Sequence, residues 1–288
     1  MKKALLHIFC EIFVALLFFQ QCNAQPYIDV INIRYTKSPD AGFFEHNKNA
    51  TELNYFNAST TLPLLFHNKK DALIFSPFFE QWSTSLSVPN NFKKYHYGLV
   101  LAVSLLKSIS NSKWSILLTP IIRTNDTSLS SKSKFQFGTA LLANHKSANG
   151  KFTYKIGIYV NGDFFGLFVM PLLGIDWQIN SKTNLFGVLP GNLWLEHRAS
   201  KKFYYGAAFR AFTNSYSDSG KRYLRIDENQ LGIFADYYLT KNIVMNLEAG
   251  HSLFRMIHTG IKNEMKTDWH PNDNVYLKLA IAYRLGLR

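Results

Sequence analysis

Residues 152–160 read FTYKIGIYV, and along this stretch apolar side chains alternate with polar or small ones. The apolar positions are Phe152, Tyr154, Ile156, Ile158 and Val160. Residues 167–179, 243–253 and 275–287 repeat the alternation elsewhere in the chain. A period of two residues over such lengths predicts β-strands with one apolar face and one polar or small face.

The length of these segments favours a membrane barrel over a soluble β-sandwich. Globular strands usually have ~5–6 residues, whereas a strand that crosses a bilayer needs ~9–11. The stretch 275–287 is long enough to cross, and its polar face carries Lys278 and Arg284. A polar lumen satisfies such charges in an outer-membrane barrel. The composition agrees with a β-rich membrane protein, because 15% of the residues are aromatic and only 18% are charged.

The connections between the segments fall into two classes. One class is short, polar and lysine-bearing, as tight hairpin turns require. These turns are 67–71, 110–113, 147–151, 180–184, 199–202 and 240–242. The other class is interpreted as longer and more variable, and comprises 38–51, 84–94, 125–133, 162–165, 189–192, 216–223 and 258–273. Short turns on one side and long loops on the other are typical of outer-membrane barrels.

These features predict an all-β fold, namely a transmembrane, antiparallel, up-and-down β-barrel of about 14 strands with both termini on the short-turn side. The expected strands are 28–37, 52–66, 72–83, 95–108, 114–124, 134–146, 152–161, 166–179, 184–189, 193–199, 203–215, 224–239, 243–257 and 274–288. The two strands within 184–199 are too short to span an apolar band of ~25 Å. We interpret them as a short hairpin that turns at Pro190-Gly191-Asn192, and the alternative is a barrel of about 12 strands.

The first residues of the chain differ from the rest. Two lysines precede an apolar run over 12–19, and the triplet CNA closes the segment at 22–24. This order is that of a secretory signal peptide. Residues 1–24 are therefore expected to be removed, and residues 25–288 are expected to form the outer-membrane β-barrel. Both cysteines lie in the leader, so the exported chain is expected to be stable without disulfide bonds.

The full chain carries a formal net charge of +13. Nucleic acid is one partner for such a charge, but export argues against it, and anionic membrane headgroups account for the charge instead. The predicted location is the cell outer membrane. The expected partners are outer-membrane lipid, lipopolysaccharide and the machinery that inserts barrels, and the solute is left open.

Aromatic residues on the apolar faces gather beside the short turns. One aromatic residue at such a place is ordinary packing, but a cluster indicates a girdle at the membrane interface. The predicted girdle consists of Trp114, Phe152, Tyr154, Trp177, Phe203, Tyr205, Tyr237 and Tyr283.

Two stretches carry a resemblance to a known family. They are LFGVLPGNLWLEHRASKKFYYGAAFRAF at 185–212 and GIFADYYLTKNIVMNLEAGHSLFR at 232–255. Together with the leader and the hairpin rhythm, they resemble an uncharacterised outer-membrane β-barrel family, a domain of unknown function of Gram-negative bacteria. The resemblance implies a barrel fold and an outer-membrane location, and it implies no activity.

The sequence offers one weak candidate for catalysis. His145 and Ser147 continue the outward face of the segment 134–146, and a Ser–His pair of this kind could attack a lipid ester. The pair lies in a short turn, however, and no third residue is spaced to orient the histidine, so a turn in which Ser147 forms local hydrogen bonds is favoured. The remaining histidines lack metal-ligand spacing, and neither a metal nor a cofactor is expected.

The strongest functional signal is a set of charged residues on the inward faces. By strand parity they are Glu80, Lys155, Asp176, Glu196, Arg198, Arg210, Asp236, Glu248, Lys278 and Arg284. Charges of both signs can pair and fill the lumen or line a pore. The favoured function is a non-enzymatic narrow pore, transporter or structural membrane component. The alternatives are a lipid-modifying hydrolase that uses His145 and Ser147, and adhesion or partner binding through the loops 38–51 and 258–273.

Overall fold

A computed structural model describes residues 26–39, 52–68, 70–84, 95–127, 134–218, 222–261, 266–271 and 273–286. The chain forms strands throughout these ranges. The strands are β1 (Tyr27–Ser38), β2 (Leu53–Thr60), β3 (Leu62–Leu65), β4 (Ala72–Thr84), β5 (Tyr95–Ser108), β6 (Trp114–Asp126), β7 (Phe135–Lys146), β8 (Phe152–Asp163), β9 (Gly166–Gln178), β10 (Thr183–Leu189), β11 (Asn192–Arg198), β12 (Phe203–Ser217), β13 (Arg222–Tyr238), β14 (Ile243–Ile261), β15 (Lys266–Trp269) and β16 (Val275–Gly286). The expected signal peptide at 1–24 lies outside the described residues.

The strands close into a 14-stranded antiparallel barrel, which confirms the predicted fold class. Adjacent strands around the ring pair antiparallel, with β2 and β3 together forming one wall strand along β4 and β15 standing outside the ring on β14. β1 closes the ring by pairing with β16 from Tyr27↔Gly286 to Lys37↔Leu277. The hairpin predicted within 184–199 is present as β10 and β11, which pair from Thr183↔His197 to Val188↔Asn192. This hairpin therefore supplies two short strands to the wall.

The structure differs from the predicted strands and loops in several places. The strand expected over 52–66 is interrupted at Thr61, so that β3 continues β2 along the same partner, β4. The loop expected over 258–273 contains the end of β14 and the short strand β15, which pair from Ile257↔Trp269 to Gly260↔Lys266. The connections 162–165 and 189–192, interpreted as long, are tight turns.

The two faces of the wall have opposite chemistry. Along β16, side chains alternate between exposed and buried, with Leu277, Leu279 and Ile281 exposed on the outside. An exposed apolar belt around a closed barrel is the surface that lipid covers. Within the described residues, no helix is long and apolar enough to cross a membrane.

A β-bulge in β1 changes which residues face the lumen. The pairing of β1 with β16 shifts between Asp29 and Ile31, so one extra residue stands in β1 at this point. Above the bulge the even-numbered residues such as Asn32 face inward, whereas below it Tyr27 and Asp29 do. Strict alternation would have placed Asp29 toward lipid.

The upper ends of β12 and β13 lean across the barrel mouth. β14 extends beyond the first residue of β16, and Ser217 of β12 pairs in parallel with Asp126 of β6 on the far side of the ring. We call residues 212–218 and 222–226 the cap. Cap residues pack with residues of the opposite wall in one buried apolar cluster of Leu53, Tyr55, Trp82, Tyr216, Leu224, Ile226, Ile257 and Phe212. Because the short turns, the start of β1 and the end of β16 lie at the other end, the cap covers the extracellular mouth.

Replacing Leu173 with arginine is expected to destabilise the barrel by roughly 2–4 kcal/mol, because this places a cation in the apolar belt. The Leu173 side chain is 61% exposed on the outer face of β9. Leu172→Arg is the matched control, since the neighbouring side chain lines the lumen. Denaturant midpoints of both variants give the comparison, and equal losses would contradict the assignment of faces.

A second prediction concerns Asp71 in the periplasmic turn before β4. Its pKa is lowered from 3.8 to about 2, first by a hydrogen bond from the Lys107 ammonium, then by the Ser108 N–H and the Asn68 side chain. A carboxyl with a lower pKa in the folded state stabilises the fold above its unfolded pKa and loses that contribution as the pH falls through the folded value. Wild type is therefore expected to lose more stability than Asp71→Asn as the pH falls from 3.8 to about 2. If the denaturant midpoints of wild type and Asp71→Asn fall by the same amount across this pH range, the stabilising role of the Asp71 carboxylate is contradicted.

Candidate functional site: the lumen

The lumen contains a cavity of about 840 Å³. At its lower end it reaches Tyr27 and Asp29 near the periplasmic rim, and at its upper end it reaches Tyr55, Glu80 and Asn214 beneath the cap. The cavity therefore follows most of the height of the barrel. Its lining includes charged, polar and aromatic side chains, so both ionic and apolar contacts are available to a solute.

One carboxylate that fastens the cap to the opposite wall is Glu80. Glu80 of β4 is buried and accepts hydrogen bonds from the Tyr216 hydroxyl at 2.7 Å and from the Asn214 amide at 3.0 Å. The Tyr55 hydroxyl donates to the other oxygen of Glu80 at 3.1 Å. Hydrogen bonds to a charged acceptor are stronger than neutral ones, so Glu80 is the main polar anchor at this position.

A second anchor lies at the end of β8. Asp163 accepts hydrogen bonds from Arg123 at 2.5 Å, from the Ser215 hydroxyl at 2.7 Å and from Gln136 at 3.0 Å. Ser215 belongs to the cap, and its carbonyl also accepts from the Asn125 amide at 3.0 Å. β6, β8 and β12 are thus joined through one buried carboxylate.

The middle of the lumen carries a cluster in which one carboxylate serves two cations. Glu248 accepts hydrogen bonds from Arg210 at 2.6 Å and from Lys278 at 2.6 Å, and the Tyr276 hydroxyl donates to it at 2.7 Å. All four side chains are buried. The formal charge of this cluster is positive, because two cations share one carboxylate.

Glycines on β13 and β14 make room for this cluster. A Cβ at Gly232 would lie 2.3 Å from the Tyr276 hydroxyl oxygen, and a Cβ at Gly250 would lie 2.7 Å from it. Gly232 and Gly250 are paired across the two strands. The Tyr276 ring can therefore lie flat over this part of the wall and reach Glu248.

The periplasmic end of the lumen is held by Arg284 and narrowed by aromatic rings. Arg284 donates to Asp29 at 2.6 Å and to Asp236 at 2.6 Å. The Tyr27 ring on β1 contacts the Phe186 ring on β10 at a centroid distance of 5.6 Å. β1 and β10 lie nearly opposite each other in the ring of strands, so this contact crosses the lumen.

Arg34 is the lumen cation that differs most from the others. Its guanidinium lies over the rings of Tyr55 at 4.8 Å and Phe212 at 5.3 Å. Within the described residues it forms no ion pair. Arg34 and Lys278 are diagonal neighbours on the inner face, because the register pairs Thr36 with Lys278 and Arg34 with Ala280.

The structure brings most of the charges proposed from parity into the lumen. Glu80, Asp176, Glu196, Arg210, Asp236, Glu248, Lys278 and Arg284 are buried inside the barrel. Lys155 is partly buried and pairs with Asp176 at 2.8 Å. Arg198 is placed differently: it ends β11 at the periplasmic rim, its side chain is exposed, and it donates to the Ser181 carbonyl at 3.3 Å.

Four of the charged lumen residues described above were absent from the parity-based set. Arg34 and Arg123 have inward parity in strands that the alternation predicts, so the same rule could have found them. Asp163 lies in a segment interpreted as a loop, and Asp29 faces inward only because of the bulge. No pattern in the sequence predicts that bulge.

The proposed girdle residues lie near the periplasmic ends of their strands. Six of their side chains are exposed on the outer face and two, Phe152 and Tyr283, are partly exposed. Several of their rings contact one another, and the Phe152 and Trp177 centroids are 6.0 Å apart. Whether this belt lies at the membrane interface remains a prediction.

The weak catalytic candidates have other contacts. The Ser147 hydroxyl donates to Asn149 at 2.7 Å and accepts from the Phe152 N–H at 3.1 Å. The His145 ring stacks on Tyr154 and contacts Trp114, with centroid distances of 5.3 and 4.6 Å. The hydrogen bonds of Ser147 are those of a turn residue, and the ring contacts of His145 place it in the aromatic belt. Among the described residues, no group of histidine, cysteine and acidic side chains could hold a metal ion.

The fold and the lumen define a transmembrane β-barrel with a charged interior and a capped mouth. A family model described as a domain of unknown function (DUF6268) matches residues 21–288. The chain belongs to this family, which confirms the resemblance to an uncharacterised outer-membrane barrel family. Comparison with curated proteins gives no match.

Comparison with solved structures finds outer-membrane proteins at low sequence identity. The COG4313 outer membrane channel from Pseudomonas putida is 11% identical, with 93% of this chain and 98% of that chain covered and a TM-score of 0.48. The translocator domain of the autotransporter NalP from Neisseria meningitidis is also 11% identical, with 99% and 97% covered and a TM-score of 0.38. The TodX monoaromatic hydrocarbon channel, as a deltaS2 mutant, is 10% identical, with 89% and 88% covered and a TM-score of 0.37.

Proposed function

We propose that this protein is a non-enzymatic channel of the outer membrane that carries small solutes along a narrow lumen. The observation that carries the proposal is the cavity of about 840 Å³ that runs from Tyr27 to the underside of the cap. Its charged side chains pair along the walls, as Arg210 and Lys278 do with Glu248. The cavity is the space that these paired side chains leave between them.

In its resting state the channel is closed at the extracellular mouth. The cap rests on the opposite wall through Glu80 and Asp163, and Ser217 pairs with Asp126 across the mouth. Release of the cap would connect the cavity to the outside. The proposed cycle therefore needs motion in the upper ends of β12 and β13, together with parting of the Tyr27 and Phe186 rings that meet across the periplasmic end.

Swelling of liposomes in a small neutral sugar such as arabinose tests the proposal. We expect slow swelling with the wild-type protein and fast swelling with a cap-released variant such as Glu80→Ala. Protein-free liposomes and liposomes with unfolded protein are the controls. A rate for both proteins that equals the controls would overturn the proposed function.

The location and partners form part of the same proposal. The exposed apolar belt would be surrounded by outer-membrane lipid and lipopolysaccharide, and the barrel-insertion machinery would assemble the chain after export. We expect the protein to fractionate with the outer membrane and to migrate faster on gels before heating, because a barrel whose first and last strands are paired with each other resists unfolding in detergent. Recovery in the soluble periplasmic fraction would contradict this location.

A further inference from the structure

The barrel wall is shorter at the β10–β11 hairpin than at the neighbouring strands β9 and β12. β10 pairs with β9 only from Gln178 to Leu173, and β11 pairs with β12 only from Tyr204 to Arg210. Above these levels, within the described part of the chain, β9 pairs with β8 alone and β12 pairs with β13, apart from Ser217 and Asp126 at the top. The edges of β9 and β12 therefore face each other across a gap above the hairpin turn.

The gap has defined borders. Its lower border is the turn at Pro190 and Gly191, which is joined to β12 by a hydrogen bond from the Ala211 N–H to the Gly191 carbonyl at 2.9 Å. Its upper border is the β8–β9 turn, where the Phe164 N–H donates to the Ser215 hydroxyl at 3.2 Å. We call this opening the side window.

The cavity extends into the side window. Five consecutive residues of β12, from Arg210 to Asn214, line the cavity. Consecutive side chains of a strand point to opposite faces, so a strand inside a continuous wall lines a lumen with every second residue only. Residues 212–214 line the cavity as part of the cap, whereas Arg210 and Ala211 line it together at the level of the hairpin turn, where β12 loses its partner β11 and its edge borders the cavity. Pro190 and Gly191 line the cavity from below.

The side window faces lipid. Leu167 and Val169 on the outer face of β9 are 73% and 49% exposed, and Leu189 at the hairpin tip is 38% exposed. The opening starts at Leu172, which lies several residues along β9 from Trp177. At a rise of ~3.3 Å per residue and a strand tilt of ~40°, its lower edge is about 12 Å above the level of Trp177. The apolar band is ~25 Å tall, so the window lies in its outer half.

Behind the window three lumen cations, Arg34, Arg210 and Lys278, stand with two carboxylates, Glu80 and Glu248. Phe212 borders the window, and the Arg34 guanidinium lies 5.3 Å from its ring centre. Arg34 is the diagonal neighbour of Lys278, which shares the single carboxylate of Glu248 with Arg210. Arg34, Arg210 and Lys278 all line the cavity. An apolar opening that leads to a cationic wall suits a molecule with an apolar body and an anionic head.

We propose that the side window is a lateral port that passes small amphipathic anions, such as medium-chain carboxylates, between the outer leaflet and the lumen. The carboxylate binds at Arg34 and Lys278, and the apolar body lies against Phe212 and Phe168. The inference rests on the proposed channel function and names its substrate class. It also explains how a solute reaches a lumen whose upper mouth is capped.

The experiment measures binding and exchange of radiolabelled octanoate on the protein in lipid nanodiscs, with empty nanodiscs as the blank. A pH of about 8 keeps the carboxylic acid ionised. We expect saturable binding of octanoate, binding at least about tenfold weaker for neutral octanol, and about tenfold weaker octanoate binding in Arg34→Gln, as loss of a charged contact implies. Equal binding of octanoate and octanol, or no saturable binding, would overturn the proposed substrate class.

Access through the wall is tested separately with Ala211→Trp, which places an indole at the edge of the window. The matched control is Ala207→Trp, four residues earlier on the same face, where β12 is paired with β11 at Leu195. We expect octanoate exchange to slow at least about tenfold in Ala211→Trp and to stay at the wild-type rate in Ala207→Trp, since only the former narrows the route. The difference in gel migration between heated and unheated samples shows whether both variants are folded. Unchanged exchange in Ala211→Trp would overturn the port even if sugar swelling establishes the channel.

Discussion

Replacing Glu80 with alanine is expected to raise the mean ion current through the barrel about tenfold or more. The carboxylate holds three donors, and hydrogen bonds to a charged group contribute ~1.5–3 kcal/mol each. Loss of even one such contribution shifts a closed–open equilibrium by about tenfold. Tyr216 and Asn214 would then lose their acceptor on the opposite wall, so the cap would open more often.

Planar-bilayer recordings at constant protein loading measure the effect. Gln81→Ala is the matched control, because Gln81 is the next residue on β4 and stands outside the buried set around Glu80. The double variant Glu80→Ala, Asp163→Ala removes both anchors and is expected to exceed the single variant. Wild-type current in the double variant would mean that these carboxylates do not hold the mouth closed.

Replacing Glu248 with alanine is expected to cost ~3–5 kcal/mol of stability, the range for breaking a buried ion pair from one side. The change leaves Arg210 and Lys278 buried together with no carboxylate between them. Both cations would have to gain water or move apart. The loss should therefore exceed that of Arg210→Ala, which leaves Lys278 and Glu248 paired.

The comparison uses denaturant unfolding of the refolded protein. Lys266→Ala is the control, since the Lys266–Asp268 pair is 49% and 42% exposed and exposed pairs contribute ~0–1 kcal/mol. A loss in Glu248→Ala no larger than in this control, together with altered ion selectivity, would indicate that the cluster stands in open water. The lumen would then be a wider pore than the structure implies.

The two predictions concern different functions of buried charge. Glu80 joins parts of the wall that can separate, so its removal changes a conformational equilibrium. Glu248 joins β12, β14 and β16, which the sheet already holds together, so its removal changes the free energy of unfolding. A measurement of current and a measurement of stability therefore report on separate parts of the lumen.

The positions of the strands were determined locally by the sequence. The predicted segment 95–108 matches β5 residue for residue, and 203–215 lies within β12. Alternation of side chains along a strand depends only on the backbone period. For the same reason parity alone placed Glu248 and Lys278 on the inner face, where the structure has them.

Tertiary structure decided what the sequence pattern leaves open. Asp29 enters the lumen because a bulge shifts the parity of β1, and the cap forms because Ser217 meets Asp126 in a strand far away in the sequence. The side window exists because β10 and β11 end below their neighbours. Each of these features depends on how one strand is placed against another, and a periodicity within one strand carries no information about that placement.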